Sequence, residues 1–360
     1  MLKRILICSL VVAMLVPSLR WAHGCTVAQL RVGDTWVVAR NHDWPFGEGW
    51  IIVNPRGLSK TGLATVKPAS WTARYGSVSM TQFGRGFPFA GMNEKGLTVD
   101  LLQLDAAGFA SSPGKDQTVV NTIQWVQYQL DNCASVDEVV QTLDIVVPIP
   151  LIRPVEKVHY FVTDAAGNAA VIEYLDGKPK VFRGPSANHC ALANSVHRDV
   201  SAGGIEPPTS RYNVAVAAVR QNRQSNDAND ANDATDAVEQ GLAVLDSVAS
   251  EGLTQWSLVY RPEIKRIDFR TKTASQMRHI HLDALSFEAD SPAMILDINA
   301  DASGDVGSRF RPITREDHRM IIDSGFDQYL PQSFSRDMVK GLAAQSADRL
   351  LKPATAGTPN

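Results

Sequence analysis

Apolar and polar residues alternate in short runs over much of the first half of the chain, the period of strands with one face turned inward. Thr26 to Arg31 and Thr35 to Arg40 are two such runs, and the Gly33-Asp34 pair between them predicts a hairpin. Its far end, Arg40 to Asp43, is expected to return beside Cys25. Trp50 to Val53, the Pro55-Arg56-Gly57 turn and Ser77 to Phe83 continue the pattern, and Asn93-Glu94-Lys95-Gly96 is a tight turn opening a strand from Leu97 to Leu102. The period then changes. Val119, Ile123, Val126 and Leu130 recur at helical spacing, which predicts a helix over Gln117 to Leu130. Ser135 is placed to cap a second helix over Val136 to Leu143. A β meander follows over Val158 to Asp164, Ala169 to Tyr174 and Lys180 to Phe182, with turns at Ala166-Gly167-Asn168 and Asp176-Gly177.

Beyond the meander, Cys190 to Ser195 reads as a short strand or loop, and Ser210 to Arg223 and Ala237 to Ser250 as helices. Thr254 to Tyr260 and Lys265 to Thr271 read as paired strands. Past Leu282 the signal weakens to Pro-containing loops, with helices expected around Arg315 to Ser324 and Ser335 to Leu351. Ser225 to Asp236 is a low-complexity acidic stretch that reads as a solvated loop. Its spaced Asp residues lack the Gly turn and closing Glu of a calcium loop, so no metal site is assigned.

Met1 to Gly24 differs in kind. Lys3 and Arg4, an apolar run from Ile5 to Val16, then Pro17-Ser18 and Ala22-His23-Gly24 have the layout of a secretory leader, too short to span a membrane. Cleavage after Gly24 would make Cys25 the first residue of an exported chain, periplasmic or secreted. The remainder is expected to form a single domain over residues 25–351 with a disordered tail over 352–360. Losing Lys3, Arg4 and Arg20 takes the net charge from −3 to −6. A mildly acidic chain without a basic run excludes nucleic acid and an anionic membrane as partners.

Of four cysteines, Cys8 leaves with the leader, and Cys133 and Cys190 either pair or stay as small buried residues. Cys25 is left over. At a new N-terminus it would carry a thiol and an α-amine of pKa about 7.7–8.0, able to take the thiol proton and later pass it to a leaving group. Two other readings of Cys25 are open: a lipid anchor, because lipoprotein signals also end in Gly-Cys, and a structural cysteine. Arg40 and Asp43 sharpen the reading of Cys25 as a nucleophile. Asp43 can hold the amine in line, and Arg40 can favour the thiolate by its fixed charge.

Cys25-Thr26, Arg40-Asn41-His42-Asp43-Trp44, Asn54-Pro55-Arg56-Gly57, Gly91-Met92-Asn93-Glu94-Lys95-Gly96-Leu97, Ala193-Asn194-Ser195, Ser210-Arg211-Tyr212 and Thr254-Gln255-Trp256-Ser257 occur in that order. Together they resemble the choloylglycine hydrolase family of N-terminal-cysteine amide hydrolases. The resemblance implies an α+β fold, the four-layer αββα Ntn-hydrolase sandwich with two antiparallel sheets. It also implies roles: Cys25 as nucleophile, Asp43 as partner of its amine, Arg40 as the charge that polarises the thiol. Asn194 would be the side-chain donor to an oxyanion, Asn93 a second contributor through backbone or side chain, and Arg211 a group that steadies the transition state. No cofactor and no metal are called for, and a homotetramer is a family tendency. The export leader points to the penicillin V acylase-like branch, whose members also cleave N-acyl homoserine lactones. Hydrolysis of bile salts is the rival activity, and an inactive exported or lipid-anchored binding protein the rival of another class.

Overall fold

Strands β1 (Thr26–Val32) and β2 (Thr35–Asp43) close the expected hairpin about Gly33-Asp34, with Gly33 at φ 56°, a left-handed conformation that costs glycine no Cβ clash. Thr26 pairs with Asn41 and Val27 with Arg40, so the hairpin does bring Arg40 to Asp43 back to its own beginning. The computed structural model describes residues 24–152, 156–183, 190–203, 206–207, 209–228, 234–329 and 334–350. Residues 1–23 and 351–360, which include nearly all of the stretch read as a leader and the whole of the tail read as disordered, lie outside the described residues.

β1 and β2 belong to a seven-stranded sheet. Its order runs from Ala191–Leu192 through β1, β2, Thr254–Arg261, Arg266–Thr271 and Arg278–His281 to Gly304–Asp305, and all pairs but the last are antiparallel. The second sheet has nine strands, all antiparallel. It runs from Lys178–Arg183 through Ala169–Leu175, Val158–Thr163, Thr98–Gln103, Pro88–Asn93, Ser77–Thr81, Trp50–Asn54 and Met294–Asp297 to Arg311–Pro312. The helices are α1 (Gln124–Asn132), α2 (Val136–Thr142), α3 (His197–Ser201), α4 (Arg211–Ala228), α5 (Ala234–Ser247), α6 (Arg315–Tyr329) and α7 (Phe334–Arg349).

Alternation along each strand sorts the core into layers. Val38, Leu258 and Phe269 of the first sheet meet Met80, Met92 and Phe161 of the second between the two. The opposite parity of the first sheet, Val37, Ala39 and Val259, packs under Tyr212 of α4 and Leu245 of α5. The far face of the second sheet, with Val99 and Tyr160, is covered by Trp125 and Leu130 of α1 and by Ile322, Phe326 and Ala347 of α6 and α7. This is the α+β, four-layer αββα arrangement that the resemblance implies.

Several details differ from the sequence reading. Thr118–Val120 is a strand, paired in parallel with Val146–Pro148, and the helix begins only at Gln124. The β-branched run Thr118-Val119-Val120 prefers extended backbone, and Asn121 Oδ1 turns the chain by accepting the Ile123 N–H at 3.0 Å. Ser135 caps α2 as expected, accepting from the Glu138 N–H. α4 runs to Ala228 and α5 starts at Ala234, so helix enters both ends of the stretch read as a loop, and 229–233 fall outside the described residues. Met294–Asp297, within the region read as loops, is a strand, and so is Arg278–His281, which the sequence reading left unassigned. Cys133 forms no disulfide with Cys190; its thiol donates to Gln129 Oε1 at 3.2 Å in the layer beneath α1, while Cys190 packs on the α4 side.

The C-terminal helical pair is tied down at several points. Arg85, buried, donates to the Leu350 carbonyl at 2.8 Å, just past the end of α7, and to Asn54 Oδ1 at 3.0 Å. α6 approaches the backbone so closely that a Cβ on Gly325 would lie 2.2 Å from the Gln82 carbonyl oxygen. Its start is a capping box: Thr314 Oγ1 accepts the Asp317 N–H at 3.1 Å, and Asp317 accepts the Thr314 N–H at 2.8 Å. Arg311 holds the same carboxylate through two bonds, 2.7 and 2.5 Å, which keeps it well below the usual carboxylate range. A depressed folded value means stability that is present above the unfolded pKa near 3.9 and is lost as pH falls through the folded value. Asp317→Asn should therefore cost about 1–2 kcal/mol at pH 7, with the deficit shrinking below about pH 4. Urea unfolding at the two pH values checks it, and an equal deficit at both would contradict the assignment.

Candidate active site

Strand alternation decides what surrounds Cys25. Arg40 and His42 share the face of β2 that looks between the sheets, whereas Asn41 and Asp43 look toward the helices. Accordingly, Asn41 Nδ2 donates to the Leu245 carbonyl of α5 at 2.8 Å. The Cys25 sulfur lies on the first side, 3.9 Å from Arg40 Nη2 and 4.0 Å from His42 Nδ1. Its backbone is held on the second. Arg211, the first residue of α4, donates through Nη1 to the Cys25 carbonyl and to Asp43 Oδ2, both at 3.2 Å. Nη2 of Arg211 reaches Asn194 Oδ1 at 2.9 Å, and Asn194 Nδ2 donates to the Gln103 carbonyl at 2.7 Å.

Asp43 accepts from Thr254 Oγ1 at 2.6 Å and Ser250 Oγ at 3.1 Å as well as from Arg211. Burial pushes its carboxyl up, and these donors pull it back. Gly24, the residue before Cys25, is buried against Arg211: a Cβ there would lie 2.1 Å from the guanidinium.

Arg40 is almost wholly enclosed. Nη1 donates to the Phe89 carbonyl at 2.8 Å and to Asp100 Oδ1 at 3.1 Å, and Nη2 to the Leu101 carbonyl at 3.1 Å. One N–H of Nη2 remains for the space between Cys25 and His42. Burial raises the Cys25 thiol above its ordinary value; Arg40 opposes the rise, Asp43 adds to it, and the Asp43 backbone N–H and Arg211 oppose it. The net rise leaves a protonated thiol at rest, one that must hand its proton to a base before it can attack.

The sulfur opens into an apolar cavity. Trp44, Phe83, Phe87, Phe89, Leu101 and Ile123 line it together with Phe326 of α6 and Val339 and Ala343 of α7. Gln103, Asn121, Glu156 and Lys157 supply polar groups to the same space. Such a chamber accepts an apolar group and leaves a polar bond at the sulfur end. Among the described residues, no group of three or more His, Cys, Asp or Glu could hold a metal ion, and no helix is long and apolar enough to cross a membrane.

Five of the six residues singled out in the sequence thus meet: Cys25, Arg40, Asp43, Asn194 and Arg211. Asn93 does not. Its Nδ2 donates to the Leu130 and Cys133 carbonyls at 2.9 and 2.7 Å, its Oδ1 accepts from Lys95 and Leu97 N–H, and its own N–H and carbonyl bond Leu97 and Gly96. Every polar group of Asn93 is committed to the turn and the end of α1, so a role at the oxyanion is corrected to a structural one. The sequence reading passed over His42, Gln82, Asp100, Gln103 and the cavity residues of α6 and α7. The alternation along β2 could have flagged His42, since it shares a face with Arg40. No local signal marks the helix residues, which reach the cavity only through tertiary packing.

Residues 25–196 match the family model described as linear amide C–N hydrolases, choloylglycine hydrolase family. A penicillin V acylase of Pectobacterium atrosepticum is 32% identical over 171 residues, which is 44% of this chain and 45% of that protein. The match thus spans less than half the length of this curated relative. Among solved structures, the penicillin V acylase of Agrobacterium tumefaciens covers 81% of this chain and 98% of its own at TM-score 0.67 and 22% identity. A variant of the conjugated bile acid hydrolase of Clostridium perfringens covers 79% and 99% at TM-score 0.63 and 18% identity. At these identities the structural likeness is one of fold. The stretch that matches the model of the choloylglycine hydrolase family, residues 25–196, holds the β1–β2 hairpin with Cys25, Arg40 and Asp43, and also Asn194.

Proposed function

We propose that this protein is an exported hydrolase of linear amides with an apolar acyl group, in the manner of a penicillin V acylase, with N-acyl homoserine lactones as a second substrate class. Cys25 is its nucleophile and, once residues 1–24 are removed, the α-amine of Cys25 its base. One observation carries the reading. The Cys25 sulfur opens into an apolar cavity, while Arg211 holds the Cys25 carbonyl on the other face of β2, where Asp43 also lies. The sulfur thus faces the space open to substrate while the Cys25 backbone is held from behind.

In the first half, Sγ bonds to the carbonyl carbon, the thiol proton goes to the amine, and the carbonyl electrons move to oxygen. Asn194 Nδ2 retains one N–H beyond that given to Gln103, a fixed neutral donor of the kind worth about 10²–10³ in rate at an oxyanion. Collapse breaks the C–N bond, and the leaving amine takes the proton from the α-ammonium. In the second half, water attacks the thioester, the α-amine takes its proton, and collapse breaks the C–S bond, releasing the acid as the α-ammonium returns that proton to Sγ. Asp43 keeps the amine oriented, and Arg211 ties Asp43, Cys25 and Asn194 into one unit.

Mature protein beginning at Cys25 should cleave penicillin V or an N-acyl homoserine lactone faster than glycocholate. Cleavage of glycocholate alone would replace the substrate reading, and cleavage of none would replace the enzyme by a binding protein. The cavity supplies a finer prediction. Phe326 packs edge-on against Phe83 at 5.7 Å between ring centroids, and Phe83 against Phe89 at 5.5 Å. Phe326→Ala should raise the kcat/KM ratio for a longer over a shorter acyl group about tenfold. An unchanged ratio would remove α6 from the acyl chamber.

A further inference from the structure

His42 touches the nucleophile but has no part in the steps above. Its ring is fixed in a stack, 4.3 Å from the Trp256 centroid and 5.3 Å from that of Phe89. Its two nitrogens meet different groups. Nε2 is 3.1 Å from Gln82 Oε1. Gln82 cannot present its other end, because its Nε2 already donates to the carbonyls of Phe46 and Glu48 at 3.1 and 2.7 Å. An acceptor oxygen therefore faces the ring, and His42 Nε2 carries the hydrogen. In a neutral imidazole that places the lone pair on Nδ1. Nδ1 is 3.4 Å from Arg40 Nη2, a group that can only donate, and 4.0 Å from Cys25 Sγ. Two neighbours thus set the same tautomer independently.

We propose that His42 is a second proton acceptor for the Cys25 thiol, acting through Nδ1 alongside the α-amine. In the step it serves, the Sγ–H bond breaks, its electron pair stays on sulfur, and the proton bonds to Nδ1. The product is a thiolate beside an imidazolium, and the proton passes on when the leaving amine departs.

The charges around the ring favour this order of events. Arg40, on the same strand, stands 3.4 Å from Nδ1 and opposes a positive ring while the thiol is neutral. Asp100, from the strand Thr98–Gln103, offsets the Arg40 charge from 3.1 Å, and Tyr260, from Thr254–Arg261, donates to Asp100 at 3.5 Å. Once the sulfur is negative it balances the imidazolium directly. Asp43 and Arg211 lie across β2, on the side of the Cys25 backbone.

The proposal rests on Cys25 as the nucleophile, and the experiment separates the two. The rate of Cys25 alkylation by iodoacetamide is measured against pH, by mass of the Cys25 peptide, in the mature chain and in a chain that begins at Gly24. In the second form the nitrogen of Cys25 is an amide, so His42 is the base that remains. There His42→Phe, which keeps a ring in the stack, should lower the alkylation rate at pH 7 about tenfold and move the pH midpoint up by about one unit. The mature chain should move less, because its amine still serves. Identical profiles for His42→Phe and the unsubstituted chain beginning at Gly24 would overturn the proposal. So would full restoration of the profile by His42→Asn, which offers an acceptor oxygen but no proton acceptor. Should these variants not fold, ¹⁵N NMR of histidine-labelled mature protein reads the tautomer directly. Hydrogen on Nε2 supports the assignment, and hydrogen on Nδ1 of the neutral ring overturns it. The nucleophile is tested apart: an alkylated Cys25 that still turned over amides would remove that reading whatever the profile.

Discussion

Cys25→Ala should lower kcat/KM for amide cleavage by at least about 10⁴-fold, the scale on which loss of a nucleophile acts. The fold should survive, since Cys25 opens the first hairpin and its side chain faces a cavity rather than a strand partner. A second variant tests how the sulfur is activated. Burial holds the thiol proton in place, so attack at neutral pH needs a base, and departure of the amine needs an acid. A chain that begins at Gly24 keeps the sulfur, Arg40 and the cavity but turns the amine into an amide nitrogen. Its turnover should fall by about 10²-fold or more. Gly24 is the residue to retain, because any side chain there would meet the Arg211 guanidinium and confuse a blocked amine with a displaced arginine. Equal turnover by the two chains would sink the α-amine as base while leaving Cys25 as nucleophile.

Arg40→Met should cost about 3–5 kcal/mol of stability at pH 8, the usual consequence of removing one partner from a buried ion pair. Arg40 and Asp100 are both essentially inaccessible; Arg40 holds Asp100 Oδ1, and Oδ2 has no hydrogen-bond partner among the described residues. Burial lifts the Asp100 carboxyl to about 6 even with Arg40 3.1 Å away, and without Arg40 it rises further. The folded value exceeds the unfolded one, so the proton on Asp100 stabilises the fold at low pH. That contribution is lost as pH rises through the folded value. In the variant the loss continues above pH 6, where the parent has already completed it. The deficit should therefore be small near pH 5 and grow toward pH 8, which urea unfolding at both values reads. Arg40→Met with Asp100→Leu should recover most of the stability, because an apolar pair of similar volume removes the stranded charge. Activity should not return with it, since the charge beside Sγ is still missing. Equal stability of the single and double variants at pH 8 would contradict the pairing.

These two results separate what is local in the site from what is not. Cys25, Arg40 and Asp43 come together through one hairpin, and a hairpin is legible in sequence because Gly33-Asp34 and the alternation on either side determine its register. Asn93 shows the opposite case. In sequence it is an Asn in a turn, beside the other site blocks, and nothing distinguishes a donor aimed at substrate from one that closes the turn. Only the positions of the Leu130 and Cys133 carbonyls decide that it is structural. The Gln117 start of α1 failed for a related reason. The apolar spacing there suits a helix, but pairing with Val146–Pro148 draws Thr118–Val120 into extended backbone.

By itself the sequence determined the hairpin, most of the strands and helices through Thr271, and the placement of Cys25 beside Arg40 and Asp43. These follow from periodicity and turn chemistry, which act over a few residues. The tertiary structure decided the rest: that Arg211 reaches the Cys25 carbonyl and Asn194 together, that Asp100 balances Arg40, that Gln82 sets the tautomer of His42, and that α6 and α7 wall the cavity beside Cys25. Each of these joins segments far apart in the chain. Their meeting depends on how two sheets stack and on which strand face points inward, and no local pattern encodes that.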